Sequence, residues 1–156
     1  MDVDEQWMSR AIAAAHTAQE LGEIPVGACI VNGNDEVLAV AGNRTRTDGD
    51  PTAHAEIVAL RAAAKSLGNY RLTNAVVYST IEPCAMCAGA LVNARIARLV
   101  YGAADPKAGA VSTLFSIGSD PRLNHRFEVV SGLLADEAAE RLQAFFAKLR
   151  APLVQK

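Results

Sequence analysis

Three observations predict a layered α/β fold with one mixed sheet between helices. An apolar hairpin follows a first helix, strands and helices alternate after it, and no repeat, low-complexity tract or interdomain linker interrupts the pattern. The 156 residues therefore read as one domain over 1–156, long enough to build a core without disulfide staples.

Each element has its own signal. From Trp7 the apolar residues recur as Met8, Ala11, Ile12, Ala15 and Ala18, a helical stripe that ends near Gly22. His16 lies within it and reads as a surface or packing residue. Residues 26–31 are continuously apolar and read as a buried strand. Asn32, Gly33, Asn34 and Asp35 supply a turn, and 37–41 returns as the second strand. A polar loop from Asn43 to Asp50 follows.

Asp50 and Pro51 predict a helix start, since Asp can cap and Pro suits the first helical position. That helix is expected over 51–67, burying Ile57, Leu60 and Ala64. Residues 75–80 read as the third strand, 83–94 as a short helix opened by Pro83, and 99–101 as the fourth strand. Residues 102–118 look loop-like, 127–130 a weaker strand. The chain closes with a helix over 136–150 whose stripe is Ala138, Leu142, Phe145, Phe146 and Leu149.

Composition narrows the function classes. About half the residues are apolar and about a fifth charged, ordinary for a globular protein (51% and 21%). No apolar run long enough for a signal peptide or a membrane span is visible, so the cytoplasm is the expected compartment. Three cysteines, kept reduced there, do not make a disulfide framework. A net charge of −2 counts against broad, nonspecific nucleic-acid binding. It leaves room for a local basic face drawn from Arg44, Arg46, Arg71, Lys107, Arg122, Arg126, Lys148 and Arg150.

Two short segments carry chemistry: His54-Ala55-Glu56 and Pro83-Cys84-Ala85-Met86-Cys87. Each is expected at a helix start. Cys84 and Cys87 are three apart, so on a helix both sulfurs face one way. Unpaired N–H groups of a first turn favour thiolate, the form that binds zinc. If the third strand returns beside the first, His54 joins the two thiolates, and three ligands leave one tetrahedral position for water. Glu56, two residues after the histidine, stands near the metal without sharing it. A carboxylate there can take a proton from zinc-bound water and pass it to a ring nitrogen.

Two other readings compete. Cys29 as a fourth ligand would make a structural zinc, yet it sits in an apolar strand where a free Cys is usually core, and Glu56 would go unexplained. A thioredoxin-like disulfide site would use Cys84 and Cys87 but leave His54 and Glu56 idle.

His-x-Glu followed by Pro-Cys-x-x-Cys is the signature of the zinc nucleobase deaminases. The chain resembles the bacterial tRNA adenosine deaminases in particular, through Ile24-Pro-Val-Gly27, Asp50-Pro-Thr-Ala-His-Ala-Glu56, Asn69-Tyr-Arg-Leu72 and Glu82-Pro-Cys-Ala-Met-Cys-Ala-Gly89. Arg95-Ile96, Val100-Tyr-Gly-Ala103, Asn124-His125 and the closing Phe145-Phe146 extend the resemblance over nearly the whole chain. It implies a three-layer α/β/α cytidine-deaminase-like fold with a mixed five-stranded sheet flanked by helices, and a homodimer. It also implies conversion of adenosine to inosine at the wobble position of a tRNA anticodon stem-loop.

The resemblance further implies one zinc ion per subunit on His54, Cys84 and Cys87, with Glu56 shuttling protons while water attacks C6. Asn43 would contact the base, the N–H of Ala55 would face the reacting edge, and Asp105 and Lys107 would meet RNA flanking the target. A deaminase of free bases or nucleosides, of guanine or cytosine type, is the nearest alternative. Residues 110–113, Ala-Val-Ser-Thr, depart from the Gly-Ser often found there, and Ile81 replaces the usual Leu. The apolar helix after Cys87, with Ala88, Ala90, Leu91 and Val92, serves equally as a subunit surface or as core.

Overall fold

The computed structural model describes residues 2–150. In chain order the elements are α1 (Val3–Glu20), β1 (Gly27–Val31), β2 (Val37–Gly42), α2 (Ala55–Leu67), β3 (Val76–Ile81), α3 (Ala85–Ala94), β4 (Arg98–Ala103), β5 (Glu128–Ser131) and α4 (Ala135–Arg150). The five strands form one sheet in the order β2-β1-β3-β4-β5. β1 is antiparallel to both its neighbours, whereas β3, β4 and β5 run parallel. The sheet is mixed, as expected. A parallel neighbour needs a crossover. For β3 and β4 that crossover is α3; for β4 and β5 it is the long loop over 104–127.

Alternation along the central strands divides the core in two. Ala28, Ile30, Val77, Leu99 and Tyr101 face α2 and α3. Cys29, Val31, Tyr78 and Val100 face α1. α4 joins the α1 side, where Ala138 packs with Ile81 and Ala103. Because β1 is covered on both faces, its sequence reads as one apolar run. Gly27 shows how closely α1 lies on the sheet: a Cβ there would stand 1.9 Å from the Ala11 carbonyl oxygen. Any larger residue would push the helix away.

Several expected boundaries move for physical reasons. α1 starts at Val3 because Asp2 caps it, its Oδ1 accepting from the Glu5 N–H at 2.8 Å. α2 starts at Ala55, not at residue 51. Asp50 does not cap it; its Oδ1 accepts from the N–H and Oγ1 of Thr52 at 2.8 and 2.7 Å, closing a local turn instead. His54 therefore takes the N-cap position of α2, rather than a place in its first turn. Pro83 likewise precedes α3, whose N-cap is Cys84. On α2 the buried alanines are Ala55, Ala59 and Ala63, and Ala64 is only half-buried. On α3, Ala88, Leu91 and Val92 belong to the core, so only Ala90 of that set is left on the outer side. Gly102 and Ala103 extend β4 instead of opening the loop. Leu149 is 63% exposed and takes no part in packing. His16 is exposed, beside Glu20 on the same helix.

One polar tie fastens α1 to the sheet. Asp4 accepts from both terminal nitrogens of Arg98 on β4, at 3.0 and 2.8 Å, and from the Tyr78 hydroxyl on β3 at 2.6 Å. Arg98 is the main reason that the Asp4 carboxyl sits below its ordinary value of 3.8. Its stabilising effect is thus present above that value and is lost as pH falls through the lowered one. We expect Asp4→Asn to destabilise the fold by about 2 kcal/mol at neutral pH. Urea unfolding at stepped pH should find that difference shrinking below about pH 4, where the wild-type carboxylate is itself neutralised.

Candidate metal centre and substrate cavity

One edge of the sheet collects most of the residues the sequence singled out for chemistry. Gly27 at the start of β1 pairs with Gly42 at the end of β2, and Ala28 pairs with Ser79 near the end of β3. Ile81 at the end of β3 is level with Ala103 at the end of β4. The loops that follow β2, β3 and β4 therefore leave from the same edge. They carry Asn43 and His54, Glu82 and Cys84, and Asp105.

His54, Cys84 and Cys87 converge there. Their ligand atoms all lie within 4.8 Å of one another. Nδ1 of His54 is 3.6 Å from Cys84 Sγ and 3.5 Å from Cys87 Sγ. Tetrahedral zinc, with Zn–S about 2.3 Å and Zn–N about 2.0–2.1 Å, requires an S···N separation of about 3.5 Å. The donors fit the ion in chemistry and in spacing. Among the described residues this is the sole cluster of its kind.

The two thiols differ. Cys84 is pulled down to about 5, first by the hydrogen bond from Cys87, then by first-turn N–H groups and the nearby His54. Cys87 is pushed up because it supplies that bond and is buried. Both sulfurs bind metal as thiolates, so a cation seated between them takes the place of that hydrogen bond. Cys29 points to the opposite side of the sheet, among the residues facing α1, and burial pushes its thiol up to about 11. It cannot be a fourth ligand to this cluster, which removes the closed, all-protein zinc site from consideration.

Glu56 is buried in the first turn of α2, only 3% exposed. Burial pushes its carboxyl up to about 7, with Cys84 adding to the rise and its own N–H and His54 opposing it. A carboxyl in that range both accepts and returns a proton near neutrality.

Glu56 opens onto a cavity of about 250 Å³. His54, Ala55, Asn43 and Asp105 line its polar side, and Ile24, Val26 and Ile81 its apolar side. Ala55 is the first residue of α2, so helix geometry leaves its N–H without an intrahelical partner. Leu142 and Phe146 of α4 complete the wall. Lys107, by contrast, is exposed in the loop beyond and does not reach the cavity. His125, part of the Asn124-His125 motif, lies elsewhere and bonds the Ile96 carbonyl at 2.7 Å. Of the basic residues, Arg44 and Arg122 are paired with Asp48 and Asp120.

Sequence reasoning missed two buried carboxylates beside the cavity. Glu23 is fully buried and gathers the 43–47 loop: Oε1 accepts from Asn43 Nδ2 and the Arg46 N–H, Oε2 from the N–H and hydroxyl of Thr47. These bonds hold its carboxyl below the usual range against the opposing effect of burial. An ionised Glu23 can only accept, so the amide of Asn43 must turn its Nδ2 inward. Glu82 does the equivalent for the loop after β4. Leu142 and Phe146 were also missed as cavity residues, since their apolar stripe looked like ordinary core.

A profile of the cytidine and deoxycytidylate deaminase zinc-binding region matches residues 1–103. The chain belongs to this deaminase family. This deaminase is 48% identical over 149 residues to the tRNA-specific adenosine deaminase of Haemophilus influenzae, covering 96% of the chain and 86% of that relative. To the tRNA-specific adenosine deaminase of Bacillus subtilis it is 46% identical over 150 residues, 96% of the chain and 92% of the relative. A solved structure from biochemical and structural studies of A-to-I editing by tRNA:A34 deaminases at the wobble position superposes with a TM-score of 0.85. It is 47% identical, over 88% of this chain and 99% of that one. A guanine deaminase from Nitrosomonas europaea superposes with a TM-score of 0.76 at 25% identity, over 92% and 84% of the two chains. The deaminase and its relatives share the layered sheet and flanking helices described above.

Removal of one donor should be felt at the metal first. Cys87→Ser should weaken zinc binding by more than about a hundredfold, since even residues that only support a ligand account for 10–100-fold. Metal analysis of purified wild type and variant checks this, with Cys29→Ser expected to keep a full equivalent of zinc.

Proposed function

We propose that this protein hydrolytically deaminates adenosine to inosine at the wobble position of a tRNA anticodon stem-loop. The observation that carries the reading is the cavity itself, where His54 and Cys84 of the His/Cys/Cys donor set, a buried Glu56 and Asn43 face one space of single-base scale. The similarity to tRNA-specific adenosine deaminases at 46–48% identity over nearly the whole chain supports the substrate class. The free-base deaminase in the comparison is similar at only 25% identity.

In this reading His54, Cys84 and Cys87 hold zinc. Bound there, the ion supplies Lewis acidity that makes water a nucleophile at neutral pH. Glu56 takes one proton from the attacking water and delivers it to N1 of the adenine. It then takes the second from the new C6 hydroxyl and gives it to the exocyclic amine, which leaves as ammonia. Burial keeps its carboxyl in the range where both transfers are easy. Asn43, held by Glu23, contacts the base edge, while the Ala55 N–H meets the reacting edge at C6. The apolar wall of Ile24, Val26 and Phe146 flanks the ring and excludes water around it. A base must leave its stack to enter such a cavity, which a loop permits more readily than a duplex. Asp105 and Lys107 contact the RNA on either side of the extruded base.

The protein acts in the cytoplasm as a homodimer. No helix among the described residues is long and apolar enough to cross a membrane. A shallow surface on the outer side of α2 and α3, with Ile57, Met86, Ala90 and Leu123, is suited to a second copy.

The test uses a tRNA with adenosine at the wobble position, and in parallel free adenosine, cytosine and guanine. Inosine is expected in the tRNA at that position. Glu56→Ala should retain zinc but reduce the rate by about 10²–10⁴-fold. Ammonia released only from a free base would overturn the RNA assignment and leave the zinc chemistry standing.

A further inference from the structure

Glu82 accepts five hydrogen bonds beside the site, as many as Glu23, and neither the metal nor the proton transfers use it. It is 1% exposed. Oε2 accepts from three successive backbone N–H groups, Val111 at 3.1 Å, Ser112 at 2.8 Å and Thr113 at 2.9 Å. Oε1 accepts from the Asp105 N–H at 3.2 Å and the Thr113 hydroxyl at 2.5 Å. The backbone around it is tied as well, Glu82 N–H to the Ala103 carbonyl at 2.8 Å and Ala110 N–H to that of Pro83 at 2.9 Å. Gly109 lies against the carboxylate so closely that a Cβ would stand 2.3 Å from Oε1.

An isolated buried carboxylate is destabilising, and this one is tolerated because five donors surround it. Those donors all come from one loop, and that loop brings Asp105 and Ala108 to the cavity. The segment 110–113 meets Glu82 mainly through backbone N–H groups, which any residue but proline supplies. We propose that Glu82 is a positioning residue for RNA recognition: it fixes the 105–113 loop, and so Asp105 and Ala108, relative to the turn that bears Cys84. The proposal rests on reading that loop as RNA-facing.

The experiment compares wild type with Glu82→Gln, Gly109→Ala and Thr113→Val on the tRNA substrate, with zinc content measured for each. Glu82→Gln keeps the shape but turns an amide donor toward N–H groups. Gly109→Ala keeps the carboxylate but crowds both it and the Asp105 carbonyl of the same loop, and Thr113→Val removes a single bond. Zinc should stay at one equivalent. KM for tRNA should rise by about tenfold or more in the first two variants and by less in the third, with kcat changed by less than about threefold. The double variant Glu82→Gln with Gly109→Ala should be no worse than the poorer single one, because both act on one loop.

Loss of zinc from soluble Glu82→Gln, or a fall in kcat at unchanged KM, would overturn the proposal in favour of a role at the metal turn. If Glu82→Gln does not fold, Gly109→Ala and Thr113→Val carry the same KM test. Wild type that forms no inosine in tRNA would instead remove the functional reading underneath. Active wild type with unaltered KM in all variants would remove only the role of Glu82.

Discussion

The antiparallel pairing of β1 with β3 is the constraint on which the site depends. Because β1 is antiparallel to β2 as well, the ends of β2 and β3 are brought to the same edge although a helix and two turns separate them in the chain. The loop leading to α2 and the turn leading to α3 then start side by side. A one-residue slip in that pairing would exchange the faces of β1, putting Cys29 toward α2 and Ile30 toward α1. The two unlike faces of the core, small residues and branched aliphatics against α2 and Met8 with Tyr78 against α1, oppose such a slip.

Helix starts do a second task at this edge. His54 and Cys84 are both N-cap residues with extended backbone. In most helices that position is filled by a side chain that bonds its own first turn. Neither His54 nor Cys84 caps its helix in this way. Their side chains are turned toward each other, and the free first-turn N–H groups remain as a source of positive potential. That potential adds to the hydrogen bond from Cys87 in drawing the Cys84 thiol down, while the same bond and deeper burial push Cys87 up.

The elements and the donor set were legible in the sequence because they follow short-range rules. Apolar periodicity located all nine elements to within a few residues, and spacing alone related Cys84 to Cys87. The errors arose where two local signals compete. Asp50 has the chemistry of a helix cap, but a threonine two residues on offers a closer partner, so the helix waits until Ala55. Glu23 and Glu82 could not be read as loop anchors. A glutamate in a polar segment looks solvated unless one knows that the donors of residues 43–47 or 105–113 arrive from another part of the chain. Leu142 and Phe146 look like core for the complementary reason: nothing in an apolar stripe says that its neighbour is a void.

The placement of α4 has a consequence for the order in which the protein becomes competent. All three metal donors and the four strands that position them lie before residue 104, so they emerge together during synthesis. The wall supplied by Leu142 and Phe146 comes some forty residues later. Domains generally form as their chain is made, from the N-terminal side onward. A nascent chain thus brings His54, Cys84 and Cys87 together before the cavity beside them has its last wall. During that interval the cavity lacks the wall that Leu142 and Phe146 later supply, and docking of the last helix completes it.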